Sequence, residues 1–287
     1  MSTLTAALSG VFFALIPVGI RAGAARGVEP RLLLVIAMPL CALAMLPGAL
    51  HAPGPPAVWI AGASSGVEQF AAMLVLRWGL RHGPMAPLWS ALMLSFVVAV
   101  LWAWFALGEV PHAGHWLAMV AAMVSVTVAA LATKGSAGAP TRMLPYAIAM
   151  AALWILNGAT NATFKHLEAL PAPGGGTLMS AHGDAVMVAM YLTITVGAAI
   201  DLALRPVRAS VGATLGSAMV MVGGSLGGLL LLRAALSAPS AAVFTASTGA
   251  SLLAAAIFAW IIWRERPDRA GWISLVCALA AVAAASC

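Results

Sequence analysis

The chain has 287 residues, 63% of them hydrophobic and only 8% charged, with a formal net charge of +6. A water-soluble domain is about 45–50% apolar and about 25% charged, so too few charges exist here to cover a surface in water. The basic residues are scattered at the ends of apolar runs, without the clustering or aromatic interleaving that tracks a phosphate backbone, which argues against nucleic acid as a partner.

The apolar runs fall at 4–25, 32–50, 57–80, 84–107, 114–133, 143–164, 179–204, 211–232, 239–263 and 270–285. As helices they can cross about 30 Å of hydrocarbon, the last only barely. They are too long for the roughly 10-residue alternating strands of a membrane barrel. In lipid every backbone polar group must be satisfied internally, so helices are expected. The predicted fold class is all-α, a polytopic membrane protein with ten transmembrane helices. The first run has no basic segment before it and reads as a retained helix, not a cleaved signal peptide. Most connections are short. The stretch 134–142 is polar and glycine-containing, and the stretch 166–180, with Pro171, Pro173 and Gly174 to Gly176, reads as a mobile loop. Cys41, Cys277 and Cys287 are too widely spaced for a zinc site and read as small packing residues.

A shift of 156 residues aligns the two halves without a gap. Leu76, Arg77 and Leu80 fall on Leu232, Arg233 and Leu236. Ser95 and Trp104 fall on Ser251 and Trp260, and Glu109, Pro111 and Trp116 fall on Glu265, Pro267 and Trp272. Alanine matches are cheap in such a chain, but matched Trp, Arg, Glu and Pro in one register are not. The expected domains are a five-helix repeat over 1–134, a linker at 135–142 and a second repeat over 143–287. A unit with an odd number of crossings must enter the membrane upside down in its second copy. That is an inverted repeat, the plan of many secondary transporters.

Each half ends on a helix, a short turn with Glu and Pro, and a helix opened by Gly and an aromatic residue. The stretches run from Trp102 to Trp116 (WAWFALGEVPHAGHW) and from Phe258 to Trp272 (FAWIIWRERPDRAGW). Together with the five-plus-five plan, they resemble the bacterial drug/metabolite transporter superfamily. The resemblance covers the whole chain in architecture and these two segments in motif. It implies a multi-pass protein of the inner (plasma) membrane that exports amino acids, drugs or other metabolites.

Twelve of the 14 Lys and Arg residues lie at the connections after the first, third, fifth, seventh and ninth helices; only Lys165 and Arg233 lie elsewhere. The positive-inside rule then puts both termini outside, whereas the resemblance implies both inside.

Glu68, beside Gln69, lies mid-way along the third apolar run. An ionisable residue there is costly unless it faces a cavity or a partner. A carboxyl group that loads and releases a proton is what proton coupling needs; the bland alternative is a protonated Glu bonded inside the bundle. In the repeat register Glu68 falls on Gly224, in the run from Gly223 to Gly228. Glycines opposite a carboxylate leave room for a ligand, but close helix packing explains this run equally, along with Gly62/Gly66 and Gly212/Gly216. Asn157, Asn161 and Lys165 recur every fourth residue as one polar stripe, with Trp154 a turn before. The amides either line a polar cavity or glue helices, and Lys165 is expected to snorkel at the helix end. Asp184, with His182 near it, is a second titrating candidate, whereas Asp201 is expected to pair with Arg205. Thr245, with Ser247, Thr248 and Ser251, and its repeat counterpart Trp89, with Ser90 and Ser95, are candidate wall residues. The recurrence of Glu109 and Glu265 at equivalent turns points to a cap or hinge.

The Gly62–Ser65 tetrapeptide with His182 is a weak match to an intramembrane Ser/His dyad, and no metal-ligand spacing, phosphate loop or dinucleotide fingerprint occurs in the chain. The expectation is therefore not an enzyme and needs no cofactor. It is a monomeric secondary transporter with a small-molecule substrate, the bilayer and possible coupling protons as partners. An uncoupled facilitator or channel is the alternative.

Overall fold

The computed structural model describes residues 2–82, 85–132, 142–207, 210–264 and 269–285. In chain order they form α1 (Ser2–Phe13), α2 (Leu15–Ala24), α3 (Pro30–His51), α4 (Pro56–Gly79), α5 (Met85–Leu94), α6 (Phe96–Leu107), α7 (Ala113–Ala132), α8 (Met143–Ala169), α9 (Leu178–Leu204), α10 (Val211–Ala235), α11 (Ser240–Trp263) and α12 (Arg269–Ala284). Among the described residues seven stretches are long and apolar enough to cross a membrane: Ser2–Ala24, Pro30–His51, Pro56–Gly79, Met143–Ala169, Leu178–Leu204, Gly212–Ala235 and Ser240–Trp263. Three shorter apolar helices accompany them, Ala91–Leu107, Ala113–Val128 and Gly271–Ala284. The linker expected at 135–142 lies outside the described residues except for Arg142.

Two of the expected helices are interrupted by one residue. Between α1 and α2 the break is at Ala14. Pro17, three residues on, has no N–H to give and its ring crowds the carbonyl of Phe13. Between α5 and α6 the break is at Ser95, where no proline follows. The cause is on another helix. Trp154 Nε1 donates to Leu94 O at 3.0 Å and Asn157 Nδ2 to Leu92 O at 3.2 Å, so side chains of α8 take carbonyls from the α5 ladder.

Small residues bring the helices together, as is usual where lipid removes the hydrophobic drive between them. A Cβ on Gly66 of α4 would stand 2.6 Å from Met190 O of α9. On α10 the space at Gly224 is taken by Phe12 O and Ile16, at 2.9 and 3.1 Å from a built Cβ, and Gly228 meets the Phe13 ring. Gly224, Gly227 and Gly228 of the run therefore pack on α1 and α2, while nothing lies within 4 Å of a Cβ built on Gly223. Gly212 and Gly216 do not pack: nothing lies within 4 Å of a Cβ built there.

The packing pairs have a pattern. The α1–α2 stretch lies against α10, and α1 lies against α11; α8 lies against α4, α5 and α6. The α3 and α9 helices pair, as do α7 and α12. In the α7–α12 pair, Ser125 Oγ donates to Ser274 O at 2.7 Å and Ser274 Oγ to Ser125 O at 2.9 Å.

The connection after α8, expected to be mobile, is a hydrogen-bonded turn. Leu178 N donates to Leu170 O at 2.8 Å, and Ala172 N to Gly176 O at 3.0 Å. Thr177 and Ser180 cap α9 reciprocally. Gly174, Gly175 and Gly176 all have positive φ, which costs glycine nothing.

Candidate functional site

A cavity of about 230 Å³ opens between the helices of the two halves of the chain. Every described element except α7 and α12 contributes to its wall. The apolar lining is rich in Met and aromatic side chains, among them Met38, Met73, Phe96, Phe164, Met190 and Tyr191. The polar lining is three amides (Gln69, Asn157, Asn161) and a set of hydroxyls (Ser95, Thr160, Ser225, Ser247, Thr248, Ser251). Among the described residues no lining side chain carries a charge.

The amides come from two facing helices. Gln69 Nε2 of α4 donates to Asn157 Oδ1 of α8 at 2.9 Å. Asn157 Nδ2 in turn donates to Ser95 Oγ at 2.5 Å, at the break between α5 and α6. One network thus crosses the seam between the halves and holds the broken helix. The side-chain amide of Asn161, one turn along α8, makes no hydrogen bond among the described residues.

Glu68 does not line the cavity. It is half-buried on α4 facing α8, and its Oε2 accepts a 2.9 Å hydrogen bond from Thr160 Oγ1. Thr160 does line the cavity. The carboxyl group therefore stands one hydroxyl behind the wall. Trp154 also lies off the cavity, with its indole N–H spent on Leu94 O. Thr245 is fully buried within the bundle, while Ser247, Thr248 and Ser251 on the same helix reach the cavity. The side chains of Trp89 and Ser90 lie outside the described residues.

Asp184 does not line the cavity and is in an ion pair with Arg233, whose Nη2 also donates to Ser180 O at 2.7 Å. Asp201 does not take the Arg205 side chain as its partner. Its Oδ2 is shared by Arg31 and Arg77 at 3.3 and 3.1 Å, because α3 and α4 both pack on α9 there. Lys165 does not snorkel. It is 4% exposed and pairs with Glu109 Oε1 at 2.7 Å, while donating to Leu236 O and Ala238 O, both at 2.8 Å. Glu109 Oε2 accepts from Ser240 N at 2.8 Å and so caps α11. Burial pushes the Glu109 carboxyl up, but Lys165 and the Ser240 N–H together outweigh it and hold the group below its ordinary value. Glu265, its repeat counterpart, lies outside the described residues.

The charges thus gather at two ends. Arg31, Arg77 and Asp201 occupy one, and Lys165, Glu109, Asp184 and Arg233 the other, with the uncharged cavity between. Among the described residues no group of three or more His, Cys, Asp or Glu side chains is placed to hold a metal ion.

Thr160 and Ser225 are wall residues that the sequence reading leaves out. Thr160 had a signal: it lies on the face of Asn157 and Asn161 at helical spacing. Ser225 sits in a glycine run that reads as packing, and the lining methionines have no signal in so apolar a chain.

No protein-family model matches the chain, and no curated protein matches it. A solved structure described as "Crystal structure of protein" matches 99% of this chain and 96% of its own length, with a TM-score of 0.80 at 14% identity. At that identity the likeness concerns the fold alone.

Proposed function

We propose that this chain is a secondary active transporter of the drug/metabolite kind, moving a small amphipathic solute out of the cell by alternating access. The observation that carries the reading is the cavity walled by helices of both halves. The packing pairs lend it further support. Exchange the two halves, and the α1–α2 stretch against α10 and α11 becomes α8 against α4 and α5–α6. Within those pairs Gly10 closes on the α11 backbone at Ser247 and Ser251, and Gly158 closes on the Val98 side chain and Ser95 O. Ser95 and Ser251 are the residues that coincide at the 156-residue shift. The exchanged packing pairs support an inverted repeat over 1–134 and 143–287. In this reading the three shorter apolar helices cross the bilayer along with the seven long ones, ten crossings in all. Each half packs against the other, so the working unit is a monomer, in the cell's inner membrane.

In this reading Glu68 is the coupling group. Its bond to Thr160 gives a proton held there a one-hydroxyl link to the cavity. Gln69, Asn157 and Asn161 orient the solute. The test is transport in proteoliposomes under an imposed pH gradient, comparing the wild type with Glu68→Gln. Gradient-driven movement that the variant loses, with downhill movement kept, supports coupling through Glu68. Equal behaviour of the two makes the carboxyl structural and favours an uncoupled facilitator. No movement of any solute in either removes the transport reading.

A further inference from the structure

The chemistry of the wall narrows the ligand. The inference rests on reading the cavity as the binding site. Charged groups are scarce and stand off the wall: Asp201 pairs with Arg31 and Arg77, Asp184 with Arg233 and Glu109 with Lys165, and the Glu68 carboxyl lies behind the wall, bonded to Thr160. A ligand bringing a full charge into the cavity meets no opposite charge among the described lining residues, and an unpaired charge out of water is strongly disfavoured. A zwitterion brings two.

What the wall offers is different. Asn157 has both of its Nδ2 contacts and its Oδ1 committed within the protein. Among the described residues the Asn161 side-chain amide has no partner, and it presents a donor and an acceptor side by side. Hydroxyls of Ser247 and Thr248 face the same space from α11. The rest is thioether and ring, surfaces that adapt to flat apolar bodies and favour aromatic contact. At about 230 Å³ the space falls below the roughly 300–1,000 Å³ usual for drug-sized ligands.

We propose that the cavity binds a small uncharged molecule with a flat apolar body and one edge that both donates and accepts hydrogen bonds, the edge being read by Asn161. Free amino acids and organic ions are excluded as preferred ligands.

The experiment titrates the purified full chain in detergent with probes of one shape: benzamide, benzoate, benzylammonium, phenylalanine and toluene. Benzamide should bind at least about tenfold more tightly than any charged probe, one tenfold step being what a single well-made polar contact supplies. Asn161→Leu should weaken benzamide about tenfold and leave toluene unchanged. Asn161→Asp should move the preference to benzylammonium. Thr248→Val, a near-isosteric loss of one hydroxyl, serves as a second variant, and each variant is first checked for a cooperative unfolding transition. Benzoate, benzylammonium or phenylalanine binding as tightly as benzamide overturns the proposal. So does failure of every probe on folded protein, or indifference of all probes to Asn161 and Thr248. Benzamide binding without transport of any solute would sink the transporter reading and leave this one standing. Gradient-driven transport of an ion without benzamide binding would do the reverse.

Discussion

Thr160 Oγ1 donates to Glu68 Oε2 at 2.9 Å, so the one carboxyl group on the inner reaches of α4 touches the cavity wall through a single hydroxyl. Thr160→Val keeps the shape and removes that contact. We expect it to reduce gradient-driven transport in proteoliposomes about tenfold or more, while binding to the cavity changes less than about threefold, since one hydrogen bond to a charged or shared-proton group is worth roughly 1.5–3 kcal/mol. A parallel fall in binding and transport would make Thr160 a wall residue and not a link.

The Lys165–Glu109 pair gives the second prediction. Lys165 is buried, and its ammonium serves one carboxylate and two carbonyls at the end of α10. Lys165→Met leaves Glu109 without its countercharge and the carbonyls without a donor. Removing one partner of such a pair costs about 3 kcal/mol, somewhat less here because the Glu109 side chain is 30% exposed. Unfolding in detergent should show that loss in Lys165→Met, with part of it recovered in the double variant Lys165→Met/Glu109→Gln. A single variant as stable as the wild type would mean that the pair is solvated.

The same carboxylate sets a pH window. Its ordinary value is 4.5 and the fold lowers it. The ionised form therefore contributes stability that is fully present above about 4.5 and lost as pH falls through the lower, folded value. His112 and His115 stand near it on the adjoining turn and helix. We expect the unfolding temperature of Glu109→Gln to converge on that of the wild type as the pH is lowered past 4.5, the gap between them being widest near neutrality. A gap independent of pH across that range would show that the carboxylate charge contributes nothing.

How much of this was legible in the chain depends on whether the cause was local. The apolar runs and the polar face of Asn157 and Asn161 are properties of neighbours in sequence, and the helices and the wall amides follow them. The break at Ser95 is not local. No Pro or Gly marks it, because Trp154 and Asn157 on α8 cause it. The partners of charges are equally remote. Asp201 has Arg205 one turn away, yet α3 and α4 bring Arg31 and Arg77 to it. Glu68 was legible as an anomaly, but whether it faced the cavity or stood behind it depended on the rotation of α4 against α9. That rotation is set by Gly62 and Gly66, which let the two backbones close.

The two charged ends make a final prediction about access. In alternating access one mouth opens as the other closes, and the mouths need contacts that can be exchanged. Asp201 ties α9 to α3 and α4 at one end through Arg31 and Arg77, and Asp184 ties α9 to α10 at the other through Arg233. Arg77 and Arg233 coincide at the 156-residue shift, so in the proposed inverted repeat the two ties would be alternative uses of one device. Asp201→Asn should favour opening at the Arg31 end, and Asp184→Asn at the Arg233 end. The readout is a single cysteine in the cavity, Ser247→Cys, in a chain with Cys41, Cys277 and Cys287 replaced. Its labelling by a membrane-impermeant thiol reagent is compared from the two sides of an oriented membrane. The two substitutions should raise labelling from opposite sides, each about fivefold to tenfold if the tie is worth about 1–1.4 kcal/mol. Increases from the same side, or from neither, would show that these pairs hold the fold together without gating it.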